Sequence, residues 1–103
     1  VINNGLIKNL PPEACVEVKC IVDRCGITPT YVGELPTQLA AMNSSNVYPE
    51  LLTIEAAVTG SREKLYQAAM MDPHTSATLS PDEIVKMCDE LIEAHESAGY
   101  PIF

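Results

Sequence analysis

Alternating apolar and polar positions predict a β-hairpin near the start of the chain. Between Cys15 and Asp23 the apolar side chains recur at every second position, and several are β-branched. This pattern is typical of a half-buried strand. The residues predicted to form its buried face are Val16, Val18, Cys20 and Val22. A turn is expected over Asp23–Gly26, and Ile27–Glu34 is expected to form the second strand of the hairpin.

Beyond the hairpin, the period of the apolar positions becomes helical. Pro36 suits the first turn of a helix because its φ angle is already fixed near the helical value. Thr37–Met42 is therefore predicted as a short helix that ends at the polar run Asn43–Asn46. Pro49 can open a second helix, which continues to Thr59. Its predicted apolar stripe consists of Leu51, Ile54 and Val58.

Two more helices are predicted in the second half of the chain. Ser61 is a suitable N-cap for a helix over Arg62–Met71, and Asp72-Pro73 should break that helix. The last helix begins at Ser80-Pro81-Asp82-Glu83, which has the form of a capping box, and it ends before Gly99. Its apolar stripe consists of Ile84, Val85, Cys88, Leu91 and Ile92.

Together these elements predict one α+β domain over residues 1–103, with a short antiparallel hairpin followed by about four helices. The net charge of −8 argues against nucleic acid or an anionic membrane surface as a partner. No apolar run approaches the roughly 18 residues of a membrane span. Because the chain begins with Val1 and not Met, we expect it to be a truncated or processed part of a larger protein.

The four cysteines raise the possibility of a disulfide or a zinc site. On a strand, Cys15 and Cys20 would point to opposite faces and lie roughly 16 Å apart. A disulfide needs Cα atoms within about 7 Å of each other. No C-x-x-C spacing occurs, so we interpret the cysteines as reduced thiols, with Cys88 in the core. A small metal-binding domain that uses Cys15, Cys20 and Cys25 remains a weaker alternative.

The residue types alone predict no catalytic, cofactor-binding or metal-binding residue. His74 follows Pro73 in an expected turn and should be exposed, while His95 should pack at the end of the last helix, near the negative end of its dipole. The glycines are scattered and form no phosphate-binding loop. The acidic residues that could supply a carboxylate pair are Glu17, Asp23, Glu34, Glu50 and Glu55.

Two stretches resemble a known family in the order and spacing of several blocks. The first consists of Asn4–Pro11 (NGLIKNLP), Val16–Asp23 (VEVKCIVD), Gly26–Pro29 (GITP) and Val32–Pro36 (VGELP). The second consists of Ile54–Glu63 (IEAAVTGSRE), Met71–Pro73 (MDP) and Leu79–Ile84 (LSPDEI). Together they resemble the C-terminal region of glycoside hydrolase family 4, which contains NAD- and manganese-dependent α-galactosidases, α-glucosidases, 6-phospho-glycosidases and α-galacturonidases. The chain departs from the usual pattern at Lys19, where the family has Pro, and at Ser61, where it has Asp.

The resemblance implies the C-terminal part of a lactate-dehydrogenase-like C-terminal domain. The parent enzyme would hydrolyse O-glycosyl bonds by oxidation of the sugar at C3 followed by elimination, with NAD and Mn²⁺ as cofactors. The family's glycine-rich NAD loop, metal ligands and catalytic base lie upstream of the matching region. The resemblance therefore carries over no catalytic, cofactor-binding or metal-binding residue, and this part of the enzyme would bind no cofactor.

The partners implied are an N-terminal NAD-binding half of the same protein, a glycoside substrate and further copies in a homo-oligomer, in the cytoplasm. The chain would contribute packing and subunit contacts and would be inactive alone. The alternative that the residues leave open is a free-standing structural or interaction module without catalysis.

Overall fold

The computed structural model describes residues 1–101. In this range two β-strands precede four α-helices, which confirms the predicted α+β class and the order of its elements. The elements are β1 (Cys20–Asp23), β2 (Gly26–Pro29), α1 (Thr37–Thr59), α2 (Arg62–Met71), α3 (Pro73–Thr78) and α4 (Pro81–Ser97). The chain divides into two compact units, Val1–Val47 and Tyr48–Phe103, and the boundary between them lies inside α1.

The hairpin of the first unit is shorter than predicted, because the flanking residues bond to the N-terminal segment. Val16 and Val1 exchange backbone hydrogen bonds, at 2.8 Å from the N–H of Val16 and 3.0 Å from the terminal amine of Val1. On the other side, the N–H groups of Val32 and Gly33 both donate to the carbonyl of Leu6. The ladder therefore covers only four pairs: Cys20 with Pro29, Ile21 with Thr28, Val22 with Ile27, and Asp23 with Gly26.

The prediction that the first strand is half-buried is wrong for β1. All four of its residues are exposed, and Val22 retains 73% of its accessible surface. The part of the alternating pattern that is buried lies before β1, at Val16, which is 8% exposed. Among the described residues, the apolar positions of this segment are therefore buried at Val16, where the N-terminal segment runs alongside, and exposed in β1.

The buried side chain of Asn3 organises the N-terminal segment. Its amide nitrogen donates to the carbonyls of Ile7, Leu10 and Pro11 at 2.9–3.0 Å, and its Oδ1 accepts from the N–H of Ile7 at 2.7 Å. Asn3 is 0% exposed, so its side chain cannot bond to water. The hydrogen bonds to the backbone take the place of the bonds to water that burial removes. The apolar residues buried in the same unit are Ile7, Leu10, Ala14, Val16 and Val47.

α1 runs without interruption where two helices were predicted. The polar run that was expected to end the first helix instead bonds back to the preceding turn: the Asn43 amide donates to the carbonyl of Leu39 at 2.8 Å. Ser45 Oγ similarly donates to the carbonyl of Met42 at 2.7 Å. A polar side chain that bonds back to a carbonyl of the preceding turn can lie inside a helix and does not have to end it. Pro49 consequently lies inside α1 and does not open a new helix.

In the second unit, α2 and α4 have the bounds that the sequence predicts. The Ser61 hydroxyl caps α2 by accepting from the N–H of Lys64, and Ser80 and Glu83 form the predicted capping box of α4. α3 was not predicted. It starts directly after the predicted break because Asp72 accepts from the N–H of Thr75 at 2.7 Å and caps a new helix.

The core of the second unit lies along one face of α4. Ile84, Cys88 and Ile92 are 2%, 6% and 8% exposed, whereas Leu91, which was predicted in the same stripe, is half-exposed. The buried residues therefore follow the narrower i, i+4, i+8 spacing. The other buried apolar residues of this unit are Ala56 and Ala68.

Candidate functional site

The thiols that suggested a metal site or a disulfide lie at the surface. Cys15, Cys20 and Cys25 are free and exposed, and the Cys20 thiol contacts the carbonyl of Val18 at 3.5 Å. Cys88 is buried in α4, as predicted. Burial raises the pKa of its thiol, and the neighbouring Asp89 carboxylate adds to this effect. Cys88 therefore stays protonated at neutral pH and is a poor nucleophile.

The carboxylates considered as a possible catalytic pair have local roles. Two of them form surface ion pairs and one stabilises the hairpin turn, while Glu17 and Glu50 are exposed. The contacts are Glu34–Lys8 and Glu55–Lys64, both 3.2 Å between Oε1 and Nζ, and the N–H of Cys25 donating to Asp23 at 2.8 Å. Exposed ion pairs of this kind contribute little to stability and provide no acid–base chemistry by themselves.

Both histidines are exposed, and neither has a metal-binding neighbourhood. His74 lies in α3 and not in the turn that was predicted for it. His95 lies in the last turn of α4, as predicted, and its ring meets the edge of Tyr100 at a centroid distance of 5.7 Å. Within residues 1–101, no three His, Cys, Asp or Glu side chains lie close enough together to hold a metal ion.

The acidic side chains with lowered pKa values lie at helix N-termini: Asp72 is the N-cap of α3, and Glu83 is the N3 residue in the capping box of α4. The pKa of Asp72 lies below its usual range because the backbone N–H and then the hydroxyl of Thr75 donate to its carboxylate. The pKa of Glu83 is lowered in the same way by the backbone N–H and hydroxyl of Ser80. These hydrogen bonds favour the charged carboxylates and also stabilise the starts of the two helices. The pKa shifts therefore have a structural cause and do not indicate catalysis.

Tyr66 and Asp89 link α2 to α4. The Tyr66 hydroxyl donates to Asp89 Oδ1. This hydrogen bond is the main cause that raises the pKa of Tyr66, and desolvation by burial is the second. Nearby, Arg62 and Glu96 form an ion pair at 3.3 Å between the same two helices. The sequence patterns did not indicate either contact, because each joins residues more than 20 positions apart.

Exposed apolar surface is prominent in both α1 and the hairpin. In α1, Ile54 and Val58 of the predicted stripe are 57% and 82% exposed, and the buried residue of this turn is Ala56. In the hairpin, Val22 and Ile27 are 73% and 69% exposed. Within the described range, no helix has both the length and the apolar character needed to cross a membrane. Exposed apolar patches on a small domain are typical of contact surfaces with other protein.

Comparison with known proteins places this arrangement in a family. The model described as "Family 4 glycosyl hydrolase C-terminal domain" matches residues 1–75. The chain belongs to glycoside hydrolase family 4. This confirms the family indicated by the block pattern, and the matched region includes the hairpin, α1 and α2.

Relatives that are similar to the chain in sequence are named glycosidases. The chain is 60% identical over 95 residues to an alpha-galactosidase of Bacillus subtilis (strain 168), an alignment that covers 92% of this chain and 22% of the relative. It is 40% identical over 95 residues to a maltose-6'-phosphate glucosidase of Fusobacterium mortiferum, covering 91% of this chain and 21% of the relative. The chain thus spans about a fifth of the length of these curated relatives.

A solved structure gives the same result for the fold. It is the 2.52 Å crystal structure of a 6-phospho-alpha-glucosidase from gut microorganisms in complex with NAD and glucose-6-phosphate. The TM-score is 0.86 at 33% identity, and the match covers 100% of this chain and 23% of that chain. The fold of this chain therefore matches a region that makes up 23% of that glucosidase chain.

Proposed function

We propose that this chain is the C-terminal part of an NAD- and manganese-dependent glycosidase of family 4 and is inactive alone. The observation that carries the proposal is the family match over residues 1–75, combined with coverage of only 22% of a relative that is 60% identical. The bound NAD of the related 6-phospho-alpha-glucosidase supports the cofactor assignment.

The complete protein would hydrolyse an O-glycosyl bond through oxidation at C3 and elimination of the aglycone. NAD would supply the hydride acceptor, and Mn²⁺ would supply a Lewis acid. In residues 1–101 the side chains form no donor set that fits Mn²⁺. We therefore assign the metal ligands, the NAD site and the catalytic base to an N-terminal part, and assign packing and subunit contacts to this chain.

The same proposal includes the organisation of the protein. The 103 residues would form one C-terminal domain next to an N-terminal NAD-binding half, and the enzyme would act as a cytoplasmic homo-oligomer. Among the sugars, an α-galactoside is the first substrate to test, because the alpha-galactosidase relative is 60% identical and the maltose-6'-phosphate glucosidase 40% identical.

The test is an activity assay on the complete polypeptide and on the 103-residue chain, each with nitrophenyl α-galactoside and nitrophenyl 6-phospho-α-glucoside. The complete polypeptide should release nitrophenol only with both NAD⁺ and Mn²⁺ present, and chelation of the metal should abolish the release until Mn²⁺ is restored. The chain alone should release none. Hydrolysis by the chain alone, or a coding sequence that lacks an upstream nucleotide-binding half, would refute the proposal.

A further inference from the structure

The hairpin carries an apolar surface on one of its two faces. Directly paired residues of an antiparallel ladder share a face, and faces alternate along each strand. The observed register therefore groups four side chains on one side, which we call the hairpin face. Its members are Cys20, Val22, Ile27 and Pro29. The opposite face mixes apolar and polar side chains, since Ile21 is paired with Thr28 there and the acidic Asp23 lies on the same side.

The described residues, 1–101, leave the centre of this face uncovered. Val22 and Ile27, which are paired at its centre, are 73% and 69% exposed, and Cys20 is also exposed. A two-stranded hairpin is at best marginally stable in water, and it normally needs further strands or a packed layer against its apolar face. We therefore expect another protein surface to pack against these four residues.

We propose that the hairpin face is an intramolecular contact surface, covered in the complete protein by the N-terminal part of the same polypeptide. This inference rests on the proposed function, which supplies that N-terminal part. The length of chain outside the structure is sufficient, because the alpha-galactosidase relative is covered over only 22% of its length by the matching region.

A second copy of the chain fits the hairpin face less well. Full burial of one Val or Ile side chain removes on the order of 100 Å² of apolar surface. Even if Cys20 and Pro29 each buried as much as Val22 and Ile27, the hairpin face would supply at most roughly half of the area of about 800 Å² that each partner buries in a standard interface. The small area disfavours association of free copies through the hairpin face alone.

A tethered partner avoids the requirement for a large interface. A segment of the same polypeptide is present at an effective concentration of about millimolar when its linker is short, so a small patch is enough to hold it in place. The hairpin face is therefore too small to hold two separate molecules together by itself. It is large enough to pack against another part of the same molecule.

The chain contains its own probes for this surface. Cys20 lies on the hairpin face, and Cys25 lies in the turn that joins the two strands. Both thiols are exposed in the chain, whereas Cys88 is buried in α4 and reports whether the protein is folded. The labelling rates of the three thiols with iodoacetamide can be followed by peptide mass spectrometry, in the complete polypeptide and in the 103-residue chain.

In the folded complete polypeptide, we expect Cys20 to be labelled at least roughly tenfold more slowly than Cys25, because only exposed thiolates react. In the 103-residue chain the two rates should be within about threefold of each other, since both thiols are accessible there. Cys88 should be slow in both samples. Protection of Cys20 that persists when the polypeptide is diluted to a monomer supports the proposal.

Two results would overturn the inference. Labelling of Cys20 in the complete polypeptide at the rate measured in the 103-residue chain would mean that nothing covers the face. Protection that disappears when the polypeptide dissociates into monomers would assign the face to a second copy. In either case the glycosidase assay can still succeed, so failure of this inference is distinguishable from failure of the proposed function.

Discussion

Helices α1 and α4 both carry an apolar stripe, but within residues 1–101 only the stripe of α4 includes buried residues. In α4, Ile84 and Cys88 are 2% and 6% exposed, whereas in α1, Ile54 and Val58 are 57% and 82% exposed. Both stripes have the spacing that predicts a buried helix face. The spacing therefore indicates that a side of the helix is apolar, but it does not indicate whether the covering surface belongs to the same chain.

The difference between the two helices follows from their neighbours. α2 lies against α4, joined to it by the hydrogen bond between Tyr66 and Asp89 and by the ion pair between Arg62 and Glu96. In the second half of α1, the residue that the chain buries completely is the small Ala56, which does not belong to the predicted stripe. Substitutions at buried and at exposed positions should therefore differ in their effect on the stability of the chain.

The largest expected effect is that of Ile84→Ala in the 103-residue chain. Removing this buried side chain should lower the free energy of unfolding by about 3 kcal/mol, through lost burial and the cavity left behind. The control Ile54→Ala should change it by less than about 0.5 kcal/mol, because an exposed side chain loses little. Urea unfolding followed by circular dichroism measures both, and similar losses for the two variants would refute the burial contrast.

The next effect concerns polar groups in the first unit. Asn3→Ala should cost about 3 kcal/mol, because it leaves buried backbone groups of Ile7 and Leu10 without a partner. Asn9→Ala is the matched control: Asn9 also bonds twice to backbone, at 2.9 Å to both the N–H and carbonyl of Leu35, but it is exposed. It should cost about 1 kcal/mol. Equal costs in urea unfolding would show that burial of the amide is unimportant.

A smaller effect compares serines in the two helices. Ser80→Ala removes the N-cap of α4 and should cost about 1 kcal/mol. Ser45→Ala in α1 should be neutral or slightly stabilising, since Ala has the higher helix propensity and the Ser45 hydroxyl only bonds back to Met42. The comparison uses thermal unfolding midpoints, and a larger decrease for Ser45→Ala would contradict the assigned cap.

The smallest effect is in the acid range. The pKa of Glu83 is lowered in the folded state by its bonds from Ser80, so the unfolded chain binds its proton more readily. The stabilisation is complete above the unfolded pKa and is lost as the pH falls through the lower folded pKa. The unfolding midpoint should therefore decrease below about pH 4, and less steeply in Glu83→Gln. α1 has no acidic residue in its first turn and provides no such contribution.

The elements that local chemistry determines could be predicted from the sequence. α2 and α4 have the predicted bounds because their caps, Ser61 and Ser80, act within a few residues. The polar run Asn43–Asn46 was misinterpreted because such side chains can cap a helix or bond back to the preceding turn, and the sequence does not decide between these roles. α3 was missed because Asp72 both ends one helix and caps the next.

Features that depend on distant residues could not be predicted. The role of the buried Asn3 is one such feature, because the carbonyls that bind its side-chain amide come together only in the folded segment. Burial was assigned to the wrong residues of the hairpin and of α1, since the alternating pattern does not specify which protein surface will cover it. The prediction that the chain contributes no catalytic residue stays a prediction.

The central claim is that apolar surface left open in this chain is covered in the complete protein. The most direct measurement is the effect of Val22→Ser on unfolding in the 103-residue chain and in the complete polypeptide. In the chain, where Val22 is 73% exposed, the free energy of unfolding should change by less than about 0.5 kcal/mol. In the complete polypeptide the loss should exceed about 1 kcal/mol, because a buried apolar side chain is replaced by a polar one. Equally small changes in both proteins would contradict the claim.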